Sequence, residues 1–204
     1  MRRPTPLPRS SGMADLILAS TSKYRRELLT RLKLPFETVA PGVDEVAVKA
    51  AGGPAREVVE ELARRKAEAV RRLHPSDVVI GSDQAAVLDG EVLDKPGTET
   101  NAVAQLRSLR GRRHQLITAV AVAHPGGIER FTDVTNLTMR RLTDEEITRY
   151  VRAEMPLDCA GSYKIEGLGV TLFEQIETRD HTAIVGLPLA QLSDTLRDLG
   201  FALP

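Results

Sequence analysis

Apolar positions come in short blocks, and the blocks switch between an unbroken or alternating pattern and a helical one. Leu16-Ile-Leu-Ala19 is a continuous apolar run bounded by Ser20, Thr21 and Ser22. It predicts a buried strand running into a helix cap. Ser22 caps a helix from Lys23 to about Lys33, with Leu28, Leu29 and Leu32 on one face. Phe36-Glu-Thr-Val-Ala40 is the next strand, and Pro41-Gly42 turns it into an acidic loop, Val43-Asp44-Glu45. Pro54 opens a long helix to about Leu73; Val58, Leu62 and Ala69 line one side, and Arg64, Arg65 and Lys66 follow in a row. Val78-Val79-Ile80 is a third strand, ending at Gly81-Ser82-Asp83-Gln84.

The second half continues the alternation. Ala85–Leu88 and Glu91–Leu93 flank Asp89-Gly90, a hairpin dipeptide, and Lys95-Pro96 follows. Thr98 to Leu109 is helical, and Gln115–Ala123 and Ile128–Met139 are long strands around Pro125-Gly126-Gly127. Thr143-Asp-Glu-Glu146 reads as a capping box before a helix to Ala153. Gly161–Gly169 is a Gly-punctuated loop, Val170–Phe173 a strand, and Leu187–Leu199 a closing amphipathic helix. The order predicts an α/β fold: a mixed central sheet with flanking helices, in two lobes around a cleft. Residues 1–13, basic and Pro-rich, read as a disordered tail with Met13 as a second start site; residues 14–204 read as a single two-lobed domain.

Composition narrows the function. In 204 residues, 42% apolar and 27% charged, a soluble globular chain is expected and disorder is excluded. Lys+Arg and Asp+Glu balance at 28 each, which argues against a partner as uniformly anionic as nucleic acid or a membrane surface. Aromatics at 3% make a stacking platform for single strands improbable. No apolar run approaches the ~20 residues of a membrane span. The single cysteine, Cys159, excludes an internal disulfide framework and a multi-cysteine zinc site, and it reads as a small buried residue in a reducing compartment. His74, His114, His124 and His181 share no ligand spacing.

The candidate chemistry lies in scattered segments, each with two readings in isolation. Ser20-Thr-Ser-Lys-Tyr-Arg-Arg26 follows a strand and enters a helix, so it is either a phosphate cradle or plain helix capping followed by solvated basic residues. Asp83, after a buried strand, holds a metal, activates water, or bonds its own turn. Pro96 rigidifies the loop that presents Lys95, and Lys66 sits in a basic run of the kind that usually faces solvent. Glu45 is one acidic loop residue. Together, several cations, two separated acids and a serine-rich turn suit a metal-bound polyphosphate.

In sum the chain resembles the Maf-like nucleoside triphosphate pyrophosphatases over about residues 15 to 203. The resemblance rests on Leu16-Ile-Leu-Ala-Ser20-x-Ser22-x-x-Arg25-Arg26-x-Leu28-Leu29, Val43-Asp44-Glu45, Leu62-Ala63-x-x-Lys66-Ala67 and Ile80-Gly81-Ser82-Asp83. Lys95-Pro96, with Asp94 where the family has Gly, Ala160–Gly167 and Val185-Gly186-Leu187-Pro188 complete it. It implies a fold of the inosine triphosphatase type. It also implies hydrolysis between the α- and β-phosphates, with release of a nucleoside monophosphate and pyrophosphate. Asp83 would be the general base, and Ser20, Arg25, Lys66 and Lys95 would hold the triphosphate. Glu45 with Asp83 would engage a divalent cation, Mg²⁺ or Mn²⁺.

Within the family, Tyr24, Gln84 and Glu166 resemble the substrate-selecting residues of the 7-methyl-GTP pyrophosphatases rather than those of the dTTP/UTP branch. A carboxylate suits the two donors on the guanine edge. An aromatic ring over a cationic purine is favourable by about 0.5–2 kcal/mol. The alternatives are a dTTP/UTP pyrophosphatase, or a nucleotide-binding regulator of division or stress with negligible turnover. A cytoplasmic enzyme is expected, with a nucleoside triphosphate as its partner and neither nucleic acid nor membrane; a homodimer is compatible with this reading.

Overall fold

The computed structural model describes residues 15–204, so the readings of residues 1–13 as a tail and of Met13 as a start site lie outside the described residues. Strand β1 (Leu16–Ala19) is wholly buried, as its unbroken apolar run requires. It runs parallel to β2 (Glu37–Thr38) on one side and to β3 (Val78–Leu88) on the other. Ser22 accepts from the Arg25 amide and caps α1 (Lys23–Thr30), which ends about a turn earlier than expected; Lys33 there takes left-handed backbone. β2 is also shorter than expected, and Phe36 before it packs against the core that holds Leu28 and Leu29.

The acidic loop expected at residues 43–45 is instead the start of a helix. Asp44 accepts from the Ala47 amide and caps α2 (Glu45–Ala50). Helix α3 (Ala55–Arg71) follows Pro54 and buries Val59, Leu62, Ala63, Lys66, Ala67 and Val70, a stripe rotated from the expected line through Val58 and Ala69. The third strand is far longer than expected. Gly81-Ser82-Asp83-Gln84 continues β3, because β5 (Arg113–His124) pairs with it antiparallel from Val79 to Val87. Asp83 therefore lies in mid-strand, opposite Ala119, and not at a strand end. It lies beyond the end of β1, however, whose pairing stops at Ala19 opposite Gly81.

Asp89 and Gly90 turn β3 into β4 (Glu91–Leu93) with positive φ at both positions, as the hairpin dipeptide predicts. Thr98 caps α4 (Glu99–Leu109), β6 (Gly127–Met139) pairs with β5 throughout, and the capping box of Thr143 and Glu146 starts α5 (Asp144–Glu154). The expected strand at 170–173 is largely a 3₁₀ turn over Leu168–Leu172; β7 (Phe173–Glu177) begins where it ends and pairs with β6. A short helix, α6 (His181–Val185), precedes α7 (Leu189–Asp198).

The sheet order is β2-β1-β3-β5-β6-β7, with β4 also on β3. On one face α3 lays Val59, Ala63 and Ala67 against Ala85, Val87, Ala119 and Ala121. The small side chains bring helix and strand so close that a Cβ on Gly81 would meet the Ala63 carbonyl oxygen at 2.3 Å and the Ala67 nitrogen at 2.6 Å. The other face carries two cores. One, under α1 and α7, uses Ile80 and Val120; the other, under α4 and α5, uses Ala86, Leu116 and Leu137. The two cores thus share one continuous sheet. Ser82, Asp83 and Gln84 cross the seam between them. Among the described residues no helix is long and apolar enough to cross a membrane.

Candidate active site

A cleft of about 740 Å³ opens at that seam, and all nine candidate residues line it: Ser20, Tyr24, Arg25, Glu45, Lys66, Asp83, Gln84, Lys95 and Glu166. At its floor, Lys66 from α3 donates to Asp83 Oδ1 at 2.7 Å and lies 2.7 Å from Glu45 Oε1. The Lys66 side chain is only 6% exposed and that of Asp83 11%. The expectation of a solvated basic face on α3 holds for Arg64 and Arg65, which pair with Glu61 and Glu68. It fails for Lys66, whose ammonium is turned to the two carboxylates. Buried charge needs compensation of this kind. Burial raises the Glu45 carboxyl, but the Lys66 hydrogen bond and charge, with Lys49 and Lys95, outweigh it and hold the group below its ordinary range.

Alternation along β3 sends neighbouring side chains to opposite faces. Asp83 faces α3 and its lysine. Ser82 and Gln84 face the other way. Ser82 donates to the Gly186 carbonyl at 2.9 Å, and the Gln84 amide donates to Thr118 Oγ1 at 2.7 Å and to the Ala183 and Ile184 carbonyls. The same Gly186 carbonyl accepts from Arg25 Nε at 3.1 Å. Gly186 has φ +117, and a Cβ there would lie 3.3 Å from that nitrogen, so glycine fixes both the turn and the arginine's seat. Burial lowers the pKa of Arg25, while Asp83 and Glu45 pull it back up; an arginine still stays charged. At the strand-to-helix turn, the Ser20 hydroxyl accepts from the Ser22 amide at 3.1 Å. The capping reading therefore holds, in a turn that also faces the cleft.

The opposite rim carries Lys95. Its loop is held from α4, where Gln105 donates to the Asp94 carbonyl at 2.7 Å and Asn101 to the Pro96 carbonyl at 2.9 Å. Gln105 Oε1 in turn accepts from Ser162 at 2.5 Å, which ties this loop to the Gly161–Gly169 segment. Asp94, where the family has glycine, pairs with Lys49 Nζ at 2.6 Å. Lys49 is a cleft cation that the sequence reading missed; 45 residues separate it from its partner, so no local pattern signals the pair. Burial lowers the Lys49 ammonium's pKa, but the Asp94 hydrogen bond and charge, with Asp83 and Glu45, bring it above its ordinary value.

Tyr24, Asp158, Cys159 and Glu166 line another stretch of wall. The Tyr24 hydroxyl lies 3.4 Å from both Asp158 carboxylate oxygens, and burial is the main cause of its raised pKa. Cys159 is half-buried in this wall, not buried in the core as expected; burial and then the Asp158 charge push its thiol up to about 11. Lys164 donates to the Glu154 carbonyl at 2.6 Å and so secures the end of α5.

No cluster of three or more potential metal ligands exists among the described residues. Asp83 and Glu45 offer two carboxylates that already converge on one cation, the Lys66 ammonium. A donor set of one or two carboxylates, completed by phosphate oxygens and water, suits Mg²⁺ or Mn²⁺.

Comparison with known proteins agrees with this architecture. The sequence profile of the Maf-like protein family matches residues 15–199. A protein of Pseudomonas aeruginosa named 7-methyl-GTP pyrophosphatase is 48% identical over 194 residues, covering 94% of this chain and all of its own. Proteins of the same name from Xanthomonas oryzae and a Polaromonas species are 50% and 52% identical, covering 94% and 92% of this chain and 100% and 86% of theirs. Among solved structures, the Ham1 protein of Staphylococcus aureus superposes with a TM-score of 0.54 at 18% identity, over 90% of this chain and 98% of that one. That likeness is one of fold.

Proposed function

The chain belongs to the Maf-like family, and from that premise we propose that it hydrolyses 7-methyl-GTP between the α- and β-phosphates, giving 7-methyl-GMP and pyrophosphate. The observation that carries the reading is the meeting, in one cleft, of a buried carboxylate held by a lysine with Arg25, Lys49 and Lys95 around it. A triphosphate needs several cations, and a hydrolase needs a base that stays ionised. The names of the relatives at 48–52% identity supply the base of the nucleotide.

Asp83 takes a proton from water as the water oxygen bonds to the α-phosphorus. The bond from that phosphorus to the bridging oxygen breaks, and the oxygen leaves with the electron pair as part of pyrophosphate. Lys66 donates to Asp83 Oδ1 and so orients the carboxylate, leaving Oδ2 to accept. Arg25, Lys95 and Lys49 balance the charge that gathers on the departing pyrophosphate. The Ser20–Ser22 turn presents hydroxyls and amides to the phosphate chain. Glu45 and Asp83 would hold a divalent cation, which when bound would supply further positive charge against the phosphoryl oxygens. Tyr24 and Glu166 face the base, and the Gln84 amide fixes the α6 carbonyls that close this side. A nucleoside triphosphate substrate is consistent with a cytoplasmic enzyme that clears a modified nucleotide.

Hydrolysis in ¹⁸O-water tests the bond. Label should enter 7-methyl-GMP and leave pyrophosphate unlabelled; diphosphate and orthophosphate as primary products would end the proposal. Asp83→Asn, which keeps the size and removes the charge, should lower kcat by at least ~10²-fold. Melting of the variant should change little, since Lys66 retains Glu45.

A further inference from the structure

Where the cleft wall holds Tyr24, an unusual arrangement repeats the chemistry of a cationic guest. The Lys23 ammonium sits 4.8 Å from the centroid of the Tyr24 ring and 3.7 Å from the Asp158 carboxylate. The first distance is within the ~6 Å at which a ring face attracts a cation. The carboxylate also receives the Tyr24 hydroxyl. Burial raises the Asp158 carboxyl, yet the Cys159 hydrogen bond and the Lys23 charge outweigh it and keep the group below its ordinary range. Cys159 and Tyr24 stay neutral near pH 7, because burial raises both. Lys164, the next cation, is engaged by the Glu154 and Met155 carbonyls.

We propose that Tyr24 and Asp158 form a subsite for a cationic heterocyclic base, and that Lys23 is its resident cation, exchanged charge for charge when an N7-methylated purine enters. The proposal rests on the 7-methyl-GTP reading and adds the means of selection. A neutral guanine that displaced Lys23 would leave Asp158 with only the weaker influence of Lys164 as counter-charge, in a wall that also carries the Glu166 carboxylate. A methylated guanine brings its own positive charge and leaves the balance intact. Lys23 and Asp158 are both more than half exposed, so the exchange needs only side-chain movement. Selection therefore comes as much from the cost of admitting a neutral base as from attraction to the cationic one.

Lys23→Met and Asp158→Asn test this, and their exposure makes both variants expected to fold. The measurement is equilibrium binding of 7-methyl-GMP and GMP, on the acidic side of neutrality where the methylated base keeps its full charge. Wild type should favour 7-methyl-GMP. Asp158→Asn should shrink the ratio of the two affinities by about two- to fivefold, the scale of an exposed ion pair. Lys23→Met should tighten both monophosphates by a similar factor and leave their ratio unchanged, because each guest displaces the same tethered cation. A ratio that depends on one of two touching residues, and absolute affinities that depend on the other, cannot be explained by a merely structural role. A ratio unchanged in Asp158→Asn, or affinities unchanged or weakened in Lys23→Met, overturns the subsite. Turnover of 7-methyl-GTP, GTP and UTP by wild type is measured alongside. Preference for UTP there would overturn the 7-methyl-GTP reading, while the two monophosphates still decide the subsite.

Discussion

Replacing Lys66 with methionine keeps the apolar stem and removes the ammonium. That ammonium lies 2.7 Å from both Asp83 Oδ1 and Glu45 Oε1, so the two oxygens are no farther apart than twice this distance. Two unit negative charges ~5 Å apart repel by about 3 kcal/mol at an effective dielectric constant of ~20. Glu45 is half exposed and Arg25 remains nearby, which reduces the cost to about 2 kcal/mol. At about 2–4 °C per kcal/mol for a domain of this size, the variant should melt about 4–8 °C below wild type near neutral pH. The pH dependence has a definite sign. In wild type the Glu45 carboxyl is held below its ordinary value of 4.5, so its stabilisation is present above that value and is lost as pH falls through the depressed one. In the variant, the Asp83 charge without its lysine raises the Glu45 carboxyl, and its protonation relieves the strain. The difference in melting temperature should therefore narrow as pH falls from neutrality towards and below 4.5. Mg²⁺ should stabilise the variant more than wild type, since it meets two carboxylates without a competing ammonium. Thermal unfolding across pH, with and without Mg²⁺, measures all three. A gap that is constant with pH, or a variant that melts with wild type, would refute the reasoning.

Other expectations concern the strand, the thiol and the base. Gly81→Ala should cost about 1–3 kcal/mol or more by denaturant unfolding, because its Cβ meets α3 backbone atoms that cannot rotate away; kcat should fall with it, since Lys66 rides on the displaced helix. Cys159, its thiol pushed up to about 11, should react slowly with disulfide reagents near neutral pH and faster as pH rises, and bound nucleotide should protect it; rapid labelling at neutrality would contradict the assigned environment. Glu166→Gln should erode the preference for 7-methyl-GTP over GTP without abolishing hydrolysis, and an unchanged ranking in kcat/KM would remove Glu166 from base selection.

Much of the architecture is legible in the chain because the strongest periodicities are local. The apolar run of β1, the Asp89-Gly90 turn and the Thr143 capping box appear where the residues predict them. Several of the failures lie at the cleft. Gly-Ser-Asp-Gln carries turn residues, yet pairing with β5 holds it in strand geometry, and function retains polar side chains where a core strand would lack them. Helix α2 is only six residues long, and its signal was the capping Asp44 rather than any apolar stripe. Lys66 was hidden among basic neighbours, although it stands four residues after Leu62 and three after Ala63, on the buried stripe. All nine site residues implied by the resemblance line the same cleft. Lys49 and Asp158 do not announce themselves, because their roles depend on partners distant in sequence.

The cleft is assembled from elements of unequal permanence. Asp83 is in the middle of an eleven-residue strand paired across to β5, and Lys66 is in the middle of the helix packed on it. Glu45 and Lys49 ride on a six-residue helix, and Lys95 on a loop secured by two amide side chains. Free energies of local opening follow such differences. The charged rim should come apart well before the sheet does, so catalysis should fade at denaturant concentrations where the far-ultraviolet signal of the folded chain is still intact. A bound triphosphate spans both halves and should draw the two transitions together.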